Sequence, residues 1–332
     1  MKIGILGAGM MGNAHINGFR SLSPRNAEFA AVCDADGEKC EAFAEKYGLK
    51  PYTNPEDLLA DAEIDMVDIC LPSFMHEEYA AKAANAKKHL LVEKPVALTP
   101  EAAKRIYEAA EKNGVRIMAA QVLRFWPEYV RIKEICESGE IGDLVSVYAA
   151  RLGQMPAWCD WYKDPQKSGE TLMNLTLHDI DFLHFMLGKP GSVYSAGKKD
   201  AMNNYNDVMN IFKFNNGVSA MVDGSLSMTP GYPFTMRMRM LGTKGTLEFV
   251  FISGENIGPK STSSLLLYKP GDGGNHVGVK SCDAYGMEIR YFVDCVVRGI
   301  PTDTVSKESV LQVLKTVTAA KESLEDGKVH EL

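Results

Sequence analysis

The stretch that decides the fold is "IGILGAGMMG", Ile3 to Gly12. Ile3–Leu6 is a short apolar run with the character of a buried strand. Gly7-x-Gly9-x-x-Gly12 follows it without a break, and the polar-apolar pattern that comes next reads as a helix. In that setting the first glycine permits a tight turn, the second lets the backbone approach a pyrophosphate, and the third allows the helix to pack close to the sheet. The helix N-terminus, with Met10 and Met11 in its first turn, offers unpaired N–H groups to phosphate oxygens. A lone glycine motif can be no more than a structural turn. Here the strand before it, the helix after it and Asp34 at the end of the next apolar run together favour dinucleotide binding, since an acidic residue about 20 positions on is what the ribose needs. The Asp34 carboxylate can accept hydrogen bonds from both adenosine ribose hydroxyls and would repel a 2′-phosphate. Ala35-Asp36-Gly37 supplies no arginine to offset that repulsion, so NAD is expected over NADP.

Working outward, strand candidates at Ile3–Leu6, Phe29–Cys33, Met66–Cys70, Leu90–Glu93 and Arg116–Ala119 alternate with helical stretches at Glu38–Tyr47, Glu77–Ala86 and Pro100–Asn113. Thr99 is placed to cap the last of these, and Gly114 to end it. Such alternation predicts a parallel, doubly wound α/β sheet. Beyond about residue 122 the rhythm changes. Runs at 142–153, 191–198, 206–214, 217–227, 234–241 and 245–251 read as strands, joined by turns such as Asn215-Asn216-Gly217 and Gly242-Thr243-Lys244-Gly245. Short reversals suit antiparallel pairing, so the second half is expected to be an α+β domain with an open, mostly antiparallel sheet. The Gly/Ser-rich segment 253–280 reads as a mobile loop, and helices are expected at about 284–298 and 306–325. The division that follows is 1–122 for the nucleotide and 123–332 for the substrate and oligomerisation.

Bulk properties narrow the classes. The chain has 332 residues, 45% of them hydrophobic and 24% charged, which is the balance of a globular protein with two domains. A net charge of −7 with both signs interspersed argues against nucleic acid or an anionic membrane as partner. No apolar run approaches the roughly 20 residues that span a bilayer. The first strand begins at once, leaving no room for a signal peptide, and seven cysteines without a C-x-x-C pair suit reduced thiols better than a disulfide framework. A cytoplasmic protein is expected, and a zinc enzyme is disfavoured, because the cysteines and histidines lack ligand spacing.

Two further stretches carry chemistry. "HLLVEKPVAL", 89–98, ends an apolar run in Glu93-Lys94-Pro95. Burying the lysine charge would cost several kcal/mol, but the carboxyl edge of a doubly wound sheet is where such folds bind ligands. A strand-ending turn with a solvated lysine is the plainer alternative. In "SGETLMNLTLHDIDFLHFMLG", 168–188, a helix from Asn174 to Leu187 would set Asn174, His178 and Asp181 on one face. The other positions are mostly apolar, so this narrow polar stripe should meet a cleft or an internal partner. Asp179 and His184 fall off it and read as structural. A histidine in such a helix can equally be a core residue satisfied by a carbonyl.

Together these pieces resemble the Gfo/Idh/MocA family of NAD(P)-dependent oxidoreductases, which includes inositol and glucose dehydrogenases. The resemblance runs along nearly the whole chain: the glycine motif, His15 just after it, Pro72 and His76, the E-K-P triplet, Arg124-Phe125-x-Pro127, the H-x-x-D of His178 and Asp181, and the closing helices. It implies a Rossmann domain followed by an α/β domain whose open sheet supports dimers or tetramers. It further implies that the loop glycines, Asp34, Leu71, Pro72, His76, Glu93, Lys94 and Gln121 line the cofactor site. Lys94 and His178 would face the substrate, with Arg124 and Asp181 on its hydroxyls. Trp161, beside Trp158 and Tyr162, could pack on the apolar face of a sugar or merely anchor its loop, and Tyr285 is a further pocket candidate. The chain departs from the family where many members have D-x-x-x-H, for here the first position is Asn174. An amide orients the imidazole without adding charge. P-N-x-x-H reads Pro72-Ser73-Phe74-Met75-His76, and the usual Gly-Gly pair reads Ser168-Gly169-Glu170.

The expected reaction is hydride transfer between a nicotinamide and a hydroxyl of a sugar or cyclitol. His178 would take the hydroxyl proton, and Lys94 would hydrogen-bond the same oxygen and stabilise its developing charge. Two alternatives share the fold: an NAD-dependent, redox-neutral glycosidase and a non-catalytic NAD-binding regulator.

Overall fold

The computed structural model describes residues 1–332 other than Arg25, Trp158 and 255–257. The first half alternates as its pattern predicts. β1 (Lys2–Leu6), α1 (Met10–Ser21), β2 (Glu28–Cys33), α2 (Gly37–Tyr47), β3 (Lys50–Tyr52), α3 (Pro55–Ala60), β4 (Met66–Ile69), α4 (His76–Asn85), β5 (His89–Val92), α5 (Pro100–Asn113) and β6 (Ile117–Ala119) follow in order. The strands form one parallel six-stranded sheet in the order β3-β2-β1-β4-β5-β6. Chain order reverses between β1 and β4, which opens a crevice at their carboxyl ends. Helix ends obey local chemistry: the Thr99 side chain accepts from the Ala102 N–H, and Gly114 closes α5 in the left-handed conformation.

The second half contains α6 (Pro127–Glu137), β7 (Leu144–Leu152), a short α7 (Pro165–Ser168), α8 (Leu177–Leu187), β8 (Pro190–Lys199), β9 (Tyr205–Phe214), β10 (Ser219–Ser225), β11 (Thr235–Gly242), β12 (Thr246–Gly254), β13 (Gly258–Tyr268) and β14 (Asn275–His276). Then come α9 (Ala284–Arg298), α10 (Lys307–Asp326) and β15 (His330–Glu331). The strands build a nine-stranded sheet, antiparallel except where β10 runs parallel to β7. β9 alternates between buried and exposed positions through Val208, Met209, Asn210, Ile211 and Phe212, as a strand with one covered face must. The segment 253–280 corrects the sequence reading: most of its described residues are strand, with β13 paired along β12. Backbone pairing asks little of side-chain identity, so a Ser/Thr run there looks like loop only when the partner strand is unknown.

Two compact units result, Met1–Trp126 with Cys282–Leu311, and Pro127–Ser281 with Gln312–Leu332. The return of α9 to the first unit is invisible to a single cut at 122/123. It is made possible by glycines on both helices: a Cβ at Gly18 of α1 would strike Asp283 and the backbone of Gly286, and one at Gly286 would strike Gly18.

Candidate functional site

In the first unit the glycine loop leaves β1 with Gly7 at φ +107, where a Cβ would also run into the Cys70 carbonyl. At Gly9 a Cβ would meet nothing within 4 Å, so the backbone there is open to a ligand. Gly9 caps α1 with no side-chain hydrogen bond, and no acidic residue sits in the first turn. The N–H groups and dipole of α1 therefore face that opening uncompensated, as a phosphate requires. Met10 is exposed and Met11 partly so. At the end of β2, Asp34 Oδ2 accepts from the Ala8 N–H at 2.9 Å and from Lys39 Nζ at 2.6 Å, while Oδ1 accepts from the Asp36 N–H at 3.1 Å. Burial opposes its charge, but Lys39 and the two N–H groups prevail and hold the carboxyl below the usual aspartate range. Gln121, just past β6, is buried with no hydrogen-bond partner for Oε1 among the described residues. An acceptor left so at the strand edge, an open glycine and a bare helix end are the features a dinucleotide would complete.

Glu93-Lys94-Pro95 sits at the carboxyl end of β5, with Lys94–Pro95 in the cis form. Glu93 is buried: Oε1 lies 3.0 Å from His15 Nε2, and Oε2 accepts from the Lys94 N–H at 2.8 Å. Burial works against its charge, yet His15 and Lys94 keep the carboxyl below the ordinary glutamate value. The Lys94 side chain keeps partial exposure. His76, expected beside the cofactor, is fully buried, and its Nδ1 and Nε2 lie 2.7 Å from the Pro95 carbonyl and 2.8 Å from the Leu71 carbonyl. Its ring thus ties the Leu71-Pro72 turn to the E-K-P turn. Arg124 is also buried in this unit, with Nη1 donating to the Thr304 carbonyl at 2.7 Å and to Ser309 Oγ at 3.2 Å. Tyr285, at the start of α9, lies with its ring 5.5 Å from that of His15.

In the second unit the stripe segment is not one regular helix. Leu172–Thr176 form a π-turn, and α8 starts only at Leu177. Gly169 and Glu170 before it have φ of +69 and +62. Glu170 is locked there, accepting from the Tyr205 N–H at 2.8 Å and pairing with Lys321 at 3.2 Å. β10 passes so close that a Cβ at Gly224 would strike Thr176. These restraints fit an inserted residue, which is what a π-turn is. Asn174 and Asp181 are buried, and His178 is the member of the stripe that keeps partial exposure. Asp179, read as structural, pairs with Arg151 of β7 through Nε–Oδ2 at 2.8 Å and Nη2–Oδ1 at 3.1 Å. His184, also read as structural, bonds Thr316 Oγ1 at 3.0 Å. Trp161 packs on Tyr162 with ring centres 4.3 Å apart, half-buried in a short 3-10 turn, and Trp158 lies outside the described residues.

The sequence reading passed over Asp68 and Lys39. Asp68 stands fully buried inside β4, and a charge in the middle of Met66–Ile69 is the signal that could have flagged it. Lys39 lies five positions after Asp34, where only an arginine in 35–37 was sought. All seven cysteines are free thiols, and burial pushes that of Cys33 up to about 12. Among the described residues no helix is long and apolar enough to cross a membrane.

A six-stranded parallel sheet in this order, with an open glycine turn and an acidic residue just past β2, defines a dinucleotide-binding fold of the Rossmann type. Residues 1–121 match the model of the oxidoreductase family with an NAD-binding Rossmann fold, and 129–248 match the GFO/IDH/MocA C-terminal domain. The chain belongs to the Gfo/Idh/MocA family. It is 28% identical to an inositol 2-dehydrogenase of Salmonella typhimurium over 99% of this chain and 96% of the relative. It is likewise 28% identical to an NADP(+) D-xylose 1-dehydrogenase of Haloferax volcanii over the full length of both. Among solved structures, a putative myo-inositol dehydrogenase from Sinorhizobium meliloti is 26% identical with a TM-score of 0.81, covering 100% of this chain and 98% of that one.

Proposed function

We propose that this protein is an NAD-preferring dehydrogenase or reductase that acts on a hydroxyl or carbonyl of a sugar, sugar derivative or inositol-like cyclitol. The observation that carries the reading is Lys94, held at the carboxyl edge of a parallel nucleotide-binding sheet by a turn whose two flanking residues are both anchored by buried histidines. The full-length similarity to inositol and xylose dehydrogenases supports the substrate class. The glycine loop and the start of α1 would hold the pyrophosphate, Asp34 the adenosine ribose, and Gln121 the nicotinamide end. Bound nicotinamide supplies or accepts the hydride. In this reading His178 takes the hydroxyl proton, Lys94 donates to the same oxygen and stabilises its charge, Asn174 orients the imidazole, and Asp181 contacts a neighbouring hydroxyl. NAD is preferred because the Asp34 carboxylate faces the ribose position, although Lys39 offsets part of its charge.

The test is NADH formation by the purified chain with NAD⁺ or NADP⁺ against inositols, aldoses and amino sugars, with Lys94→Ala in parallel. Turnover with NAD⁺ should fall by about 10²–10⁴-fold in the variant, with NADH affinity retained. Equal rates in the two proteins, or no turnover anywhere on the panel, would defeat the reading.

A further inference from the structure

Sugar chemistry leaves His15 without a task, yet it is among the most completely buried polar residues of the first unit, at 0% exposure. Its Nδ1 lies 2.9 Å from Asp68 Oδ2 and its Nε2 3.0 Å from Glu93 Oε1. An ionised carboxylate only accepts hydrogen bonds. A ring with one N–H would therefore set a lone pair against an anionic oxygen on one side, and two carboxylate charges, unlike the two neutral carbonyls beside His76, favour hydrogen on both nitrogens. The groups that face the ring are Asp68 and Cys70 from the β4 end, Glu93 from the β5 end and Tyr285 from α9; Cys70 Sγ stands 3.5 Å from Nδ1 and donates to Asp68 Oδ1 at 3.6 Å. His15, Asp68 and Cys70 could be taken for a cation site. A direct His15–Asp68 bond of 2.9 Å is shorter than the separation of about 3.3 Å that two ligands of a tetrahedral zinc would keep with bonds of roughly 2.0–2.1 Å. The cluster is a hydrogen-bonded chain.

That chain has a destination. Glu93 spends one oxygen on His15 and the other on the Lys94 N–H. On the far side of the turn His76 grips the Pro95 carbonyl. Glu93 and Pro95 are thus fixed by buried groups, and the side chain between them is Lys94. We propose that His15 is a positioning residue for Lys94, acting through the chain Asp68–His15–Glu93–Lys94 N–H to fix the E-K-P turn and to keep a carboxylate beside the lysine. This rests on the reading of Lys94 as the group that meets the substrate oxygen.

Two arms on the full-length protein test it. In the first, acetic anhydride labels lysines across a pH series, and peptide mass spectrometry follows Lys94 against Lys163, an exposed lysine far along the chain. His15→Ala should change the rate or pH midpoint of Lys94 labelling and leave Lys163 alone. Glu93→Gln keeps the shape and both hydrogen bonds, with His15 then accepting at Nε2, and should lower the Lys94 midpoint by removing the adjacent negative charge. In the second arm, kcat and KM are measured with NAD⁺ and myo-inositol. His15→Ala and Glu93→Ala should each lower kcat by about 10²-fold, as misplacement of a reacting group does, with KM and NADH affinity within roughly threefold. The double variant should be no worse than either single one, since both cut the same chain, and Glu93→Gln should recover most of the loss. Unchanged Lys94 labelling in folded His15→Ala, or losses that multiply in the double variant, would overturn the proposal. A clear labelling contrast with no turnover of myo-inositol would support it and count against the substrate reading alone.

Discussion

Asp179 and Arg151 offer a measurable link between packing and activity in the second unit. Asp179 has 0% exposure and Arg151 4%, and they meet in a two-point contact at 2.8 and 3.1 Å that fastens α8 to β7. Unit charges about 4 Å apart attract by about 4 kcal/mol at an effective dielectric of 20, and that attraction offsets the loss of hydration of both groups. Asp179→Ala removes the offset while the guanidinium stays buried, which costs about 3–5 kcal/mol. At roughly 2–4 °C per kcal/mol for a unit of this size, the melting temperature should fall by roughly 6–20 °C. Hydrogen exchange of peptides covering 177–187 would show the loss in the helix itself, and urea unfolding its size. Because His178 is the neighbouring residue on α8, kcat should fall as well, while NADH affinity, a property of the first unit, should hold. Replacing both partners, Arg151→Met with Asp179→Leu, should restore most of the stability, since a buried pair is worth little more than apolar side chains of similar volume. A loss below about 1 kcal/mol in the single variant, or no recovery in the double, would refute this account of how α8 is held.

Asp34→Ser should weaken NADH binding by roughly 10- to 150-fold, the worth of about 1.5–3 kcal/mol in hydrogen bonds to a charged group, and should improve NADPH binding by leaving Lys39 unopposed; fluorescence titration with both would show it, and an unchanged ratio would refute it. Acid should destabilise the protein through His76. Loss of hydration pushes this buried histidine below the usual value of 6.5, against the pull of the Leu71 and Pro95 carbonyls. Its contribution is therefore present above about 6.5 and lost as pH falls from there through the native value. His15 has the opposite sign: burial opposes its charge, but Asp68 and Cys70 lift it well above 6.5, so its contribution holds at low pH and is lost as pH rises through the raised native value. Urea midpoints from pH 5 to 9 should show a flatter acid limb in His76→Gln and a flatter alkaline limb in His15→Gln, and limbs parallel to the parent protein would contradict both assignments.

The sequence by itself determined the nucleotide half of this protein. A glycine turn, an acidic strand end and caps such as Thr99 and Gly114 are local devices, whose physics is settled within a few residues of chain. The alternation of apolar and polar positions, likewise local, carried the open sheet of the second half. Three features needed the tertiary structure. β13 is a strand because β12 offers it a ladder of backbone partners. The π-turn at 172–176 exists where Glu170 is pinned by Tyr205 and Lys321 and Gly224 presses from β10. Glu93 looked like an oddity before a lysine, and only folding showed it joined to His15, 78 positions earlier in the chain. Hydrogen bonds between distant residues leave no periodic trace in a sequence, because each partner is chosen by where the backbone arrives and not by what lies next to it.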